Sequence, residues 1–77
     1  MTMDELLEIL NGIHPEVDYE TEDSLIDSRI FDSFDIVTLV GELTENFDIE
    51  IGPEELIPEN FNSAKKIYAL VTRLMEE

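Results

Sequence analysis

One stretch constrains the fold of this chain more than any other. Between Ser33 and Phe47, the residues Ile36, Leu39, Val40, Leu43 and Phe47 stand at i, i+3, i+4, i+7 and i+11. That spacing lines one face of an α-helix with apolar side chains. Glu42, Glu45 and Asn46 belong on the opposite, solvated face. A helix with such a stripe has to bury it against other elements, and both ends of the chain offer matching stripes.

Near the N-terminus, Met3, Leu6, Leu7, Leu10 and Ile13 recur at helical spacing. Thr2 and Glu5 read as a capping box ahead of them, each side chain serving the other's backbone N–H. Gly12 and Pro15 place the end of this helix near residues 12–14. Toward the C-terminus, Asn62 or Ser63 caps a final helix whose buried face is Ala64, Ile67, Leu70, Val71 and Leu74. In between, Gly52 and Pro53 open a short helical turn with proline at its first position. Glu54 and Glu55 lie near its positive end, and Pro58 is expected to stop it. Residues 48–51 alternate but are too few for a strand. The predicted class is all-α: a small four-helix bundle of three longer helices and one short one, in a single domain over residues 1–77. Residues 15–32 show no sustained period and make a long loop between helices 1 and 2. A connection of that length inside a small domain signals an ordered loop with a job. Leu25, Ile26, Ile30 and Phe31 are its expected anchors in the core.

Phe34, Val37 and Gly41 fit neither face of the central helix. They form a second stripe at i, i+3 and i+7, rotated away from the first. Either it packs beneath the long loop, or it is an exposed apolar patch ringed by acids and serves as a docking surface.

Charge narrows the partners. The chain carries 20 acidic and 4 basic side chains in 77 residues, a formal net charge of -16. Nucleic acid and anionic membrane surfaces would be repelled, and a protein with a Lys/Arg-lined dock is the natural complement. The plainer reading is that the acids only keep the protein soluble. Three of the cations, Lys65, Lys66 and Arg73, lie in the final helix. The absence of cysteine excludes disulfides, thiolate catalysis and cysteine-ligated zinc. No apolar run is long enough to span a membrane, and the acidic start MTMDELLEIL lacks the basic opening of a secretion signal. These features lead us to expect a cytoplasmic monomer that does not insert into membranes.

Catalytic and metal-binding readings fare poorly. A Ser–His–Asp site would need a serine beside the lone histidine, His14, and no glycine-rich segment offers backbone donors for an oxyanion. DYETED, residues 18–23, starts like a calcium loop, but its sixth position is Asp23 where glycine is required, and the twelfth is Arg29 where glutamate is required. No catalytic residue and no metal site is assigned. A non-catalytic acidic module that binds basic protein surfaces remains as an alternative function.

The stretch FDSFDIVTLVGELTENFDIEI, residues 31–51, resembles the acyl carrier protein family. The resemblance rests on Asp32, Ser33 and Phe34 opening a helix, on Asp35 after them, on the buried stripe from Ile36 through Phe47, and on Asp48 closing it. The order of a preceding helix, a long loop, a short third helix and a final helix extends the likeness over essentially the whole chain. It implies that Ser33 is the attachment point of 4′-phosphopantetheine, delivered from coenzyme A by a phosphopantetheinyl transferase, with Asp32 and Phe34 as the flanking motif. The arm would supply the thiol this chain lacks and hold acyl or aminoacyl cargo as a thioester. Ser33 would then need no local activation, and its flanking acids would act in recognition. A simpler role for Ser33, as the N-cap of the helix, fits the residues alone. IDSRI contains a second Asp-Ser, Asp27 and Ser28, but no helical stripe begins there. The resemblance further implies that Phe34, Asp35, Val37, Gly41, Glu42 and Glu45 face partner enzymes, an adenylating ligase or acyltransferases and synthases with basic patches. Thr38 stands where the family usually has glutamate, and Gly41 where a bulky apolar residue is common, which weakens the case for central fatty-acid synthesis. Phe34 and the segment PENFNS lean toward discrete carriers served by adenylating ligases, such as D-alanyl carriers. Fatty acyl, D-alanyl and secondary-metabolite cargo all stay open at this level. Leu39, Leu43, Phe47, Ile67 and Val71 either part to sheath an aliphatic chain or form a closed core.

Overall fold

The computed structural model describes residues 2–76; Met1 and Glu77, part of the expected 1–77 domain, lie outside the described residues. Helices α1 (Met3–Ile13), α2 (Ser33–Phe47), α3 (Pro58–Phe61) and α4 (Ala64–Glu76) are joined by loops, with a 3₁₀ turn at Pro53–Glu55. No strand forms among the described residues. The architecture is the expected all-α bundle.

Local chemistry sets the boundaries. Thr2 Oγ1 accepts from the Glu5 N–H at 3.2 Å and the Thr2 N–H donates to Glu5 Oε1 at 2.8 Å, so the predicted capping box starts α1. The helix ends at Ile13, where the His14 N–H still reaches the Leu10 carbonyl at 2.9 Å. Of the two candidate caps for α4, Ser63 does the work: its Oγ accepts from the Lys66 N–H at 3.1 Å.

Pro58 is a correction. It does not stop the short turn but opens α3, standing in that helix's first turn. The 3₁₀ turn has already ended at Glu55. A proline at the first helical position loses nothing, because the N–H it lacks would have no intrahelical acceptor there.

The core joins all three long helices. Leu6 and Leu10 of α1, Leu39 and Leu43 of α2, and Ile67 and Val71 of α4 are fully buried, together with Leu25 from the long loop. Helix α1 packs on both α2 and α4, and α3 packs on α4. Ile36, Val40 and Phe47 complete the α2 stripe as half-buried contacts. The loop of residues 15–32 is ordered by specific bonds. Leu25 and Phe31 are buried as expected, with Ile26 and Ile30 packed against the core. The Tyr19 hydroxyl lies 2.9 Å from the carbonyls of both Leu10 and His14 and ties the loop to the end of α1. Asn62 secures its middle: Oδ1 accepts from the N–H groups of Ile26 and Asp27 at 2.9 and 3.1 Å. The Leu25 N–H donates to the Asn62 carbonyl at 2.9 Å.

Candidate functional site at the start of α2

The loop delivers the chain to α2 through Phe31, whose buried ring fixes the approach of the residues that follow. Asp32 is the N-cap: its Oδ1 accepts from the Asp35 N–H at 2.8 Å, and the Asp32 N–H donates to Asp35 Oδ2 at 3.2 Å. The flanking acids therefore form a reciprocal capping box of their own. They also place negative charge at the positive end of the helix.

That arrangement removes the N-cap role from Ser33. Ser33 is the first helical residue, exposed, and its hydroxyl makes no hydrogen bond to the described residues. Its backbone is fixed by the box on either side, while its side chain is left open to solvent. The other Asp-Ser pair differs. Ser28 lies within a turn, where its N–H donates to the Ser24 carbonyl at 2.7 Å. Asp27 there accepts from Asn62 Nδ2 at 3.1 Å.

Downstream, Phe34 is 78% and Val37 70% exposed. The second stripe therefore faces solvent and does not pack beneath the loop. Gly41, Glu42 and Glu45 are exposed along the same helix. The Glu42 carboxylate is shared with Asn46, whose Nδ2 lies 3.3 Å from Oε2. Thr38 donates its hydroxyl back to the Phe34 carbonyl at 3.1 Å. No basic residue occurs anywhere in α2. The surface beside Ser33 is thus apolar and acidic together, a complement to a partner patch that mixes cationic and apolar side chains.

Asp35 is less available than its neighbours. Its side chain is only 21% exposed, and its Oδ2 accepts from His14 Nε2–H at 2.7 Å. Nδ1 of the same ring faces Glu16 Oε1 at 2.9 Å. The bond to Asp35, then that to Glu16, raises the pKa of His14 above its ordinary value. The same bond to His14 holds the Asp35 carboxyl below its usual range. His14 thus approaches the serine's motif but grips the acid, and Ser33 has no base bonded to it. In the sequence His14 stood out only as a potential catalytic partner. The pairing across the loop could not be found by spacing, since 21 residues separate it from Asp35.

Behind the first turn of α2, Ile26, Ile36, Leu56, Ile57, Pro58 and Phe61 line a cavity of about 70 Å³. Leu56 and Ile57 at its mouth are 45% and 43% exposed. Leu39, Leu43, Ile67 and Val71 beneath are closed to solvent.

No protein-family model matches the chain. It is 34% identical to the D-alanyl carrier proteins of Streptococcus gordonii and Streptococcus thermophilus over 71 residues, which cover 91% of this chain and 90% of theirs. The D-alanyl carrier protein of Streptococcus sanguinis matches to the same extent, at 34% over 71 residues.

Proposed function

The chain belongs to the acyl and D-alanyl carrier protein family, and we propose that it carries a small aminoacyl group, D-alanine by its relatives' names, on a 4′-phosphopantetheine arm attached to Ser33. One observation carries this reading: Ser33 is held at the first position of α2 by a capping box of its flanking acids, with its hydroxyl exposed and unbonded. A covalently attached phosphodiester can be accommodated there, since nothing in the chain competes for the oxygen, and the two flanking acids, which already occupy the helix start, would keep it directed outward. In the transfer, a base of the transferase takes the Ser33 hydroxyl proton. Ser33 Oγ bonds to the phosphorus that bears pantetheine, and the P–O bond of the coenzyme A pyrophosphate breaks to release adenosine 3′,5′-bisphosphate. When attached, the arm supplies the terminal thiol on which cargo rides as a thioester.

The cavity behind α2, about 70 Å³, is the space of a couple of water molecules, and the choice of D-alanine rests on the relatives' names. Asp32 contributes its cap and a negative charge beside the attachment oxygen. Phe34, Val37, Gly41, Glu42 and Glu45 form the face offered to a transferase and an adenylating ligase. Asp35 acts there chiefly through the capping box, because its charge is shared with His14.

The test is intact mass with peptide mapping after incubation with coenzyme A and a broad-specificity phosphopantetheinyl transferase. The expected result is one added phosphopantetheine on the Ser33 peptide, absent in Ser33→Ala. Failure to gain mass beside a working control carrier, with the chain folded, would overturn the reading.

A further inference from the structure

The His14 ring bridges two carboxylates with its two nitrogens, Nε2 to Asp35 at 2.7 Å and Nδ1 to Glu16 at 2.9 Å. An ionised carboxylate only accepts hydrogen bonds, so both contacts are satisfied only when both ring nitrogens carry protons. A neutral ring donates once and turns a lone pair toward the other carboxylate. The arrangement is one that an imidazolium satisfies in full. Its position adds a consequence: His14 terminates α1, Glu16 begins the long loop, and Asp35 is half of the capping box that holds Ser33.

We infer that His14 is a positioning residue for the modification of Ser33, a clasp between α1, the loop and the first turn of α2 that holds the serine-bearing turn while the ring is doubly protonated and loosens it when a proton leaves. This rests on the proposed attachment at Ser33. The ring has few other influences around it. From the loop, Phe31 stacks obliquely on it with centroids 5.0 Å apart. Tyr19 meets the carbonyls of Leu10 and His14 but not the ring, and burial pushes its hydroxyl up to about 12, so it stays neutral across the relevant range. From α2, Asp32 acts behind Asp35 through the capping box. The last turn of α1 carries no basic side chain. Acids therefore surround the ring, and they hold its proton above the ordinary value of 6.5. The sign follows: the contribution of the clasp is complete below 6.5 for as long as Asp35 and Glu16, both held below the usual carboxylate range, stay ionised, and is lost as pH rises through the raised value of the ring in the folded protein.

Two measurements test this. As the only histidine, His14 gives a single set of imidazole resonances in a pH titration followed by NMR. The amide signals of Asp32, Ser33 and Asp35 should titrate with the ring, and in His14→Gln that shared transition should vanish. Transfer kinetics provide the second readout, as the ratio of KM for the carrier between His14→Gln and the unaltered chain, with the same transferase at each pH. A partly exposed ion pair sets the scale at about two- to fivefold. That ratio should be largest below the ring's raised pKa and shrink toward unity as pH rises through it, with kcat unchanged. His14→Arg, charged at every pH, should keep a low KM throughout. Amides of α2 that ignore the ring, or a KM ratio independent of pH, would overturn the clasp. Co-titrating amides in a chain that no transferase modifies would leave the clasp standing and remove the carrier assignment instead.

Discussion

Asn62 shows what a single buried polar residue does in this chain. It is 7% exposed, and every polar atom of its side chain is used: Oδ1 by the N–H groups of Ile26 and Asp27, Nδ2 by the Asp27 carboxylate. Asn62→Ala would strand two backbone donors of the long loop that are partly withdrawn from water. Leaving such groups unsatisfied costs on the order of 2 kcal/mol, which a urea titration would read as a lower midpoint. The loss should be shared by Asn62→Asp, which keeps the acceptor but sets a second carboxylate against Asp27. An unchanged midpoint in both variants would mean that the loop is held by Leu25 and Phe31 alone. The sequence revealed those two anchors because burial leaves a hydropathy signal. It could not reveal Asn62, which reads equally well as a helix cap, because its partners lie 35 and 36 positions away. The same holds for His14 and Asp35. By contrast, the Thr2–Glu5 box was legible because it closes over three residues. The Asp32–Asp35 box has the same spacing and is equally local, and it displaces Ser33 from the cap.

At the scale of elements, α2 has two apolar faces with different fates, and this division was visible in the sequence spacing. Leu39 and Leu43 are sealed, whereas Phe34 and Val37 are open to solvent. Periodicity separated the two stripes, but only the packing of the loop elsewhere decided that the second is free. Helix α3 was harder to read, because two prolines five residues apart, Pro53 and Pro58, each open a separate short element. Proline at a helix start and proline after a helix end look alike in sequence. Gly41 is the weak point of α2. It lies inside the helix with no positive φ, and a Cβ added there would meet nothing within 4 Å. Gly41→Ala should therefore stabilise the protein by about 1 kcal/mol, because alanine restricts the unfolded chain and favours the helix. The check is a higher urea midpoint at unchanged m-value. A lower midpoint would show that the backbone at Gly41 departs from regular helix in solution.

For the whole molecule, the question is how a charge of -16 coexists with a radius of gyration of 11.2 Å. Lysine and arginine number only four, Arg29, Lys65, Lys66 and Arg73, and Arg73 is engaged with Glu55 at 2.7 Å. Most acids therefore face one another on a body of 31 × 25 × 18 Å, comparable with the Debye length of roughly 30 Å at 10 mM salt but two to three times that of roughly 10 Å at 0.1 M. Two effects of salt oppose each other. Screening weakens the attractive pairs, Arg73 with Glu55 and His14 with its two acids, but these are few and lie partly in solvent, where such contacts contribute little. Screening also relieves the repulsion of 20 acidic side chains, which is greater in the folded protein than in the expanded unfolded chain. Relief should win. The melting temperature is expected to rise by roughly 5 °C between 10 mM and 300 mM sodium chloride, equivalent to about 1 kcal/mol for a domain of this size. Magnesium and calcium chlorides should act at lower concentration and equally well, since among the described residues no group of three or more acids or histidines is arranged to hold a metal ion. A melting temperature that falls with sodium chloride would mean that the few ion pairs outweigh the acidic surface. The charge would then be a determinant of the fold as well as of partner choice.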